Sequence, residues 1–122
     1  MSVQCERVYD FKERPKHKNE YAVLVDRVWP RGVKKADLGL DEWAKELAPS
    51  TDLRRWFKHD PERWSEFKQR YREELESVPE AVEALQQKAG QQTVTLLFAA
   101  RDTEHNQALV LAELLNNDQS QG

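Results

Sequence analysis

The 122-residue chain holds one cysteine, four glycines and three histidines, and each shortage removes a class of chemistry. With Cys5 alone, no disulfide can close within the chain and thiolate metal clusters are excluded. Cys5 lies in strand-like sequence, where a thiol reads as a small buried hydrophobe rather than a reactive group. Four glycines leave little material for a glycine-rich phosphate loop, and none follows a strand in that pattern. No two histidines stand at zinc spacing and no serine sits in a nucleophile elbow, so neither a metal nor a cofactor is evident. No apolar run approaches the length of a membrane-spanning helix, and no membrane partner is expected. The first residues, Met1 to Arg7, have no signal-peptide core, so a cytoplasmic location is the expectation. A formal net charge of −3 argues against a generic nucleic-acid binder but leaves room for a local basic patch.

Hydrophobic residues at 39% and charged residues at 34% are the balance of a soluble, globular chain. The expected organisation is a single α/β domain over 1–118 with a disordered tail over 119–122. Val3 to Tyr9 alternates loosely and reads as a first strand. A lysine-rich surface loop follows over Asp10–Glu20. Tyr21–Arg27 and Thr93–Ala99 are apolar on both faces, hence central and parallel strands. The first strand has two readings, parallel or paired antiparallel with the second, because the loop between them is short for a crossover helix. Helical sequence fills the interval: Leu40–Leu47, then Leu53–Lys58 capped by Ser50 or Thr51. A strong start signal at Asp60-Pro61-Glu62 opens a helix with Trp64, Phe67, Tyr71, Leu75 and Val78 on one stripe. Another helix runs from Pro79 to Gly90, and a last one from Thr103 to Leu115. The fold class is therefore α/β, a small, mostly parallel sheet of three or four strands with packed helices.

Two strand ends carry the chemistry. The second releases its chain into Asp26-Arg27-Val28-Trp29-Pro30-Arg31-Gly32, and ligands of open α/β sheets bind beyond the carboxyl ends of strands. Arg27 and Arg31 present forks suited to phosphate or carboxylate, and Gly32 permits a turn that other residues resist. The other strand end runs into Arg101, Asp102, His105 and Asn106 at the start of a helix, whose free N–H groups also favour an anion. The two ends together suggest an anion pocket of Asp26, Arg27, Trp29, Arg31, Gly32, Arg101 and Asn106. The alternative for the arginines is structural pairing with Asp26 and Asp102. His105 and His59 are the proton-transfer candidates, with Asp102 either a third catalytic group or a helix cap.

At these residues the chain resembles the domain of unknown function 488 family, in its short, YeaO-like branch. The resemblance rests on three blocks in the family's order: Val25 to Gly32, Ala48 to Asp60, and Leu96 to Asn106. It implies a compact α/β domain with a small, largely parallel sheet and no assigned activity. A longer branch carries a Cys-Ala-Glu-Arg-Asp…His-Cys-His-Arg block, which this chain matches at Arg101, Asp102 and His105. Phe98 and Asn106 stand where cysteines would fall, so thiol or metal chemistry is not carried over.

The leading functional expectation is a pocket for a small anionic ligand, phosphate or nucleotide, in a binding domain or an enzyme. The alternative is a non-catalytic module that recognises nucleic acid or a protein through the basic and aromatic 54–72 surface. A third reading is a homodimer joined through exposed tryptophans.

Overall fold

The computed structural model describes residues 2–120. Four parallel strands form one sheet in the order β1-β4-β2-β3, with β1 at Val3–Arg7, β2 at Glu20–Leu24, β3 at Glu42–Trp43 and β4 at Thr93–Phe98. The helices are α1 (Val8–Phe11), α2 (Lys35–Leu38), α3 (Thr51–Phe57), α4 (Trp64–Leu75), α5 (Pro79–Gln91) and α6 (Gln107–Ser120). The α/β class and the parallel sheet are as the sequence predicts. Burial assigns the strands their places: β2 and β4 are apolar on both faces and central, whereas β1 is partly polar and lies at an edge. β3 is only two residues long, a short edge that offers little backbone to another chain.

Alternate residues of the central strands feed two cores. Val23, Val25, Val94, Leu96 and Phe98 pack with the buried faces of α3, α4, α5 and α6. Ala22, Leu24 and Leu97 pack on the other side with Val8 and Phe11 of α1 and Leu38 of α2. In α4 the predicted stripe is the buried one, with Phe67, Tyr71 and Leu75 inside and Trp64 at its margin. No helix among the described residues is long and apolar enough to cross a membrane.

Four local expectations are corrected. β1 does not pair antiparallel with β2; β4 lies between them and pairs in parallel with both. The predicted Leu40–Leu47 helix is instead β3 followed by a 3-10 turn over Lys45–Leu47. The Asp41 carboxylate accepts the Ala22 N–H at 2.7 Å, and the Asp41 and Ala44 N–H groups donate to Ala22 and Leu24. Pairing with the open edge of β2 thus outweighs helix propensity. α6 begins four residues after the predicted Thr103, because Asp102 folds its own neighbours into a turn, and it continues through Ser120. The last two residues of the expected tail, 121–122, lie outside the described residues.

The Asp10–Glu20 loop is tied down by charge. Arg14 donates to Glu6 at 2.8 Å and to Glu20 at 2.7 Å. Glu20 is only 4% exposed and also accepts from the His17 N–H and the Thr95 hydroxyl. Burial pushes the Glu20 carboxyl up, but the bonds from Arg14, Thr95 and His17 outweigh it and hold the group at about 2, below its ordinary 4.5. A depressed folded-state pKa stabilises the fold above the unfolded value and loses that contribution as pH falls through the folded one. Thermal unfolding should therefore show wild-type stability falling between pH 4.5 and 2. Glu20→Gln should cost about 2–4 kcal/mol at neutral pH and flatten that part of the pH profile.

Candidate functional site

β2 and β4 are neighbours, yet their chains leave toward opposite faces of the sheet, one to α2 and the other to α6. Such a divergence opens a crevice at the carboxyl ends of the strands. A cleft of about 610 Å³ occupies that position. Its lining includes Asp26, Arg27, Trp29 and Arg31 after β2, Ala99 and Ala100 after β4, and Arg54, Arg55 and His59 from α3 and its C-terminal turn.

Asp26 lies half-buried in this cleft. One carboxylate oxygen accepts the Ala99 N–H at 2.9 Å and the other accepts from the Gln107 amide, which also donates to the Val25 carbonyl at 3.2 Å. The Asp26 carbonyl accepts from the Trp43 indole at 2.7 Å. Burial pushes the Asp26 pKa up; the bonds from Ala99 and Gln107 and the nearby charges of Arg54 and His59 work against that rise. Among the described residues no cation forms an ion pair with it.

The arginines divide into two kinds. Arg27 is structural as well as cleft-lining: its guanidinium donates to the carbonyls of Pro49 at 3.1 Å and Ala48 at 3.3 Å, fastening the β2 loop to the entrance of α3. Arg31 is exposed at the lip, and its place is set through its backbone, whose carbonyl accepts from the Tyr9 hydroxyl at 3.0 Å. Gly32 does not line the cleft; at φ +78 it lets the Pro30–Val33 turn close behind Arg31. Trp29 packs edge-on against Trp43 at 5.2 Å and donates to the Val33 carbonyl at 2.6 Å, which makes a fixed wall.

Arg54 and Arg55 are cleft residues that sequence reasoning assigned to a separate surface. Ser50 caps α3 by accepting from the Leu53 N–H at 3.1 Å, and Leu53 and Phe57 are the buried positions. That phase sets Arg54 and Arg55 along the opening. The signal that could have found them is the adjacency of two arginines to His59 across a helix end. Lys58 and His59 both hold positive φ, at 49 and 55. Two successive left-handed non-glycine residues cost roughly 1–2 kcal/mol each, and they return the His59 ring toward Phe57 at 5.8 Å and into the cleft lining.

The other predicted loop stands apart. Arg101 is exposed and, like Asp102, His105 and Asn106, does not line the cleft. Asp102 accepts the N–H groups of Glu104 and His105 and the His105 ring at 3.0 Å. The Glu104 N–H above all holds the Asp102 carboxyl below its usual range; burial opposes it, and the bonds and charge of His105 add to the lowering. His105 meets the edge of Trp64 at 5.3 Å instead of the crevice. Asn106, 1% exposed, caps α6 by accepting from the Leu109 N–H at 3.2 Å, so the position expected to receive an anion is occupied by the chain itself. Neither Arg27 nor Arg101 pairs with Asp26 or Asp102 among the described residues. Nor do His, Cys, Asp and Glu side chains gather there in groups of three or more able to hold a metal ion.

Three arginines of the 54–72 surface are neutralised by acidic neighbours. Arg63 pairs with Asp60 at 3.8 Å, Arg70 with Glu66, and Arg72 with Glu113 at 3.1 Å. Arg63 and Arg70 also cover the Trp56 ring, at 5.3 and 4.4 Å. All four tryptophans are partly buried, and the large hydrophobic that stands out in solvent is Val28, 61% exposed at the cleft.

The family model described as the inactive DUF488-N3 subclade matches residues 2–121. The chain is 44% identical over 117 residues to the uncharacterized protein YeaO of Escherichia coli (strain K12), spanning 96% of this chain and 99% of that protein. It is 46% identical over 94 residues to the uncharacterized proteins Rv3073c of Mycobacterium tuberculosis (strain ATCC 25618 / H37Rv) and Mb3100c of Mycobacterium bovis, spanning 77% of this chain and 79% of each. No solved structure matches.

The division between the arginines has a measurable consequence. In urea unfolding, Arg27→Ala should lose about 2 kcal/mol, because two carbonyls lose a charged donor. Arg31→Ala, whose backbone bond survives the substitution, should change stability by less than about 0.5 kcal/mol.

Proposed function

The chain belongs to the inactive DUF488-N3 subclade, and from that premise we propose that the cleft binds a phosphate-bearing small molecule without transforming it. One observation carries this reading. Arg31, Arg54 and Arg55, from two separate segments, line one cleft, are exposed, and form no ion pair among the described residues. Arginine forks held on a rigid scaffold suit the oxygens of a phosphate, which they bind with charge-assisted hydrogen bonds. Three unpaired arginines lining one crevice favour an anion there, on a chain whose net charge is −3.

The subclade's description and the geometry both weigh toward binding over catalysis. His105 and Asp102, two of the catalytic candidates expected from the sequence, bond to each other outside the cleft, with the His105 ring against Trp64. His59 lines the cleft, but no carboxylate orients its ring among the described residues. A macromolecular partner on the 54–72 surface finds less support, since Arg63, Arg70 and Arg72 are paired with Asp60, Glu66 and Glu113 and the remaining Arg54 and Arg55 line the cleft. The cytoplasmic location expected from the sequence belongs with this reading.

Ribose 5-phosphate is a suitable probe in a thermal-shift titration. It should raise the unfolding temperature of the wild type, and Arg31→Ala should weaken its apparent affinity about tenfold or more without lowering the unfolding temperature of the free protein. An unchanged affinity, or an Arg31→Ala chain that no longer folds, would remove the cleft's claim to the anion.

A further inference from the structure

The phosphate reading leaves Asp26 unexplained, because a carboxylate has no business beside a bound anion unless another part of the ligand meets it. A carboxylate offers about four acceptor positions, and the Ala99 and Gln107 donors use two. No arginine or lysine forms an ion pair with it among the described residues, although Arg27, Arg31, Arg54 and Arg55 share its cleft. The volume of about 610 Å³ is that of a pocket for a whole small molecule, far more than a phosphate fills. The lining also includes the apolar or flat side chains of Trp29, Pro30, Phe57, Ala99 and Ala100.

Resting on the phosphate reading above, we propose that the ligand is a guanine nucleotide, its phosphate on the arginines and the N1–H and N2–H groups of its base on the Asp26 carboxylate. Guanine presents two adjacent donors, which match the two oxygens of one carboxylate. Adenine and cytosine set a ring acceptor beside their amino group, and that lone pair would face the carboxylate's own. Uracil flanks its single N–H with carbonyl oxygens on both sides. An acceptor-only group in a partly dry site therefore selects guanine by repelling the others as much as by attracting it. Two donors arriving from the ligand would also offset the burial that raises the Asp26 pKa. The flat base would lie along the apolar lining, where Val28 leaves an uncovered hydrophobic edge.

Calorimetric titration of the full chain tests this with guanosine, inosine and adenosine 5′-monophosphates, ribose 5-phosphate and guanosine. The guanosine monophosphate should bind about tenfold or more tightly than the adenosine one, since a paired hydrogen-bond readout carries about that discrimination. The inosine monophosphate, which lacks only the 2-amino group, should fall between them. Asp26→Asn should abolish the preference while ribose 5-phosphate still binds. If Asp26→Asn fails to fold, the inosine comparison on the wild type decides alone. Equal binding of all three nucleotides and ribose 5-phosphate would overturn the guanine inference and leave the phosphate reading standing. Guanosine binding as tightly as its monophosphate would overturn the phosphate reading and keep the base assignment. No binding by any of the five would overturn both.

Discussion

The arrangement depends on the Asp26 clamp. One side chain bonds the first residue after β4 and the first residue of α6, while its own backbone, one residue after the β2 pairing ends, receives the Trp43 indole. Strand ends that diverge to opposite faces would otherwise splay, because each emerging backbone has lost its neighbour's hydrogen bonds. The clamp closes the floor of the crevice and fixes the distance between the loops above it. It does so with a carboxylate, although burying an ionised group without a cation is costly. An asparagine could accept from Ala99 but would set its own N–H2 against the Gln107 donor, so the clamp calls for two acceptor oxygens, each of which keeps a further acceptor position.

The far wall is held by aromatic packing and by backbone strain. Phe57 stacks on Phe67 at 4.2 Å, Phe67 packs with Tyr71 at 5.8 Å, and Tyr71 donates its hydroxyl to the Leu47 carbonyl. Behind that wall α3 cannot shift without breaking the stack. Its end is then turned sharply by Lys58 and His59 in the left-handed region, a conformation that the surrounding packing must sustain. The result is a helix whose exposed Arg54 and Arg55 line the same cleft as Arg31.

How much of this was legible in the sequence follows from the range of each cause. The parallel centre of the sheet could be read because β2 and β4 carry apolar residues on both faces, a property local to each strand. The Asp60-Pro61 start and the α4 stripe were readable for the same reason. β3 was not, because residues 41–44 are strand only through the open edge of β2, and nothing within Leu40–Leu47 announces that partner. Of the residues singled out in the sequence, Asp26, Arg27, Trp29 and Arg31 line the cleft. Arg101–Asn106 do not, because a buried cap and an aspartate turn fold that loop onto itself. Arg54 and Arg55 line the cleft as well, and their direction depends on the phase of a seven-residue helix set by Leu53 and Phe57.

Two carboxylates near the two ends of β2, one buried and one half-buried, differ in how far the chain completes their surroundings. Glu20, at the start of β2, is saturated: a guanidinium, a hydroxyl and a backbone N–H surround it, and its charge is neutralised within the chain. Nothing further can be added there without removing something. Asp26, two residues beyond the end of the same strand, receives two neutral donors and no ion-paired cation, although arginines line the same cleft. The fold is evidently able to complete a carboxylate's environment when stability is the object, because it does so six residues earlier. Asp26 lines a cleft together with arginines that form no ion pair among the described residues, so its unused acceptor positions and their donors share one cavity. A ligand carrying both a donor edge and an anionic group satisfies the two together, whereas a simple anion would satisfy the arginines and leave the carboxylate worse off.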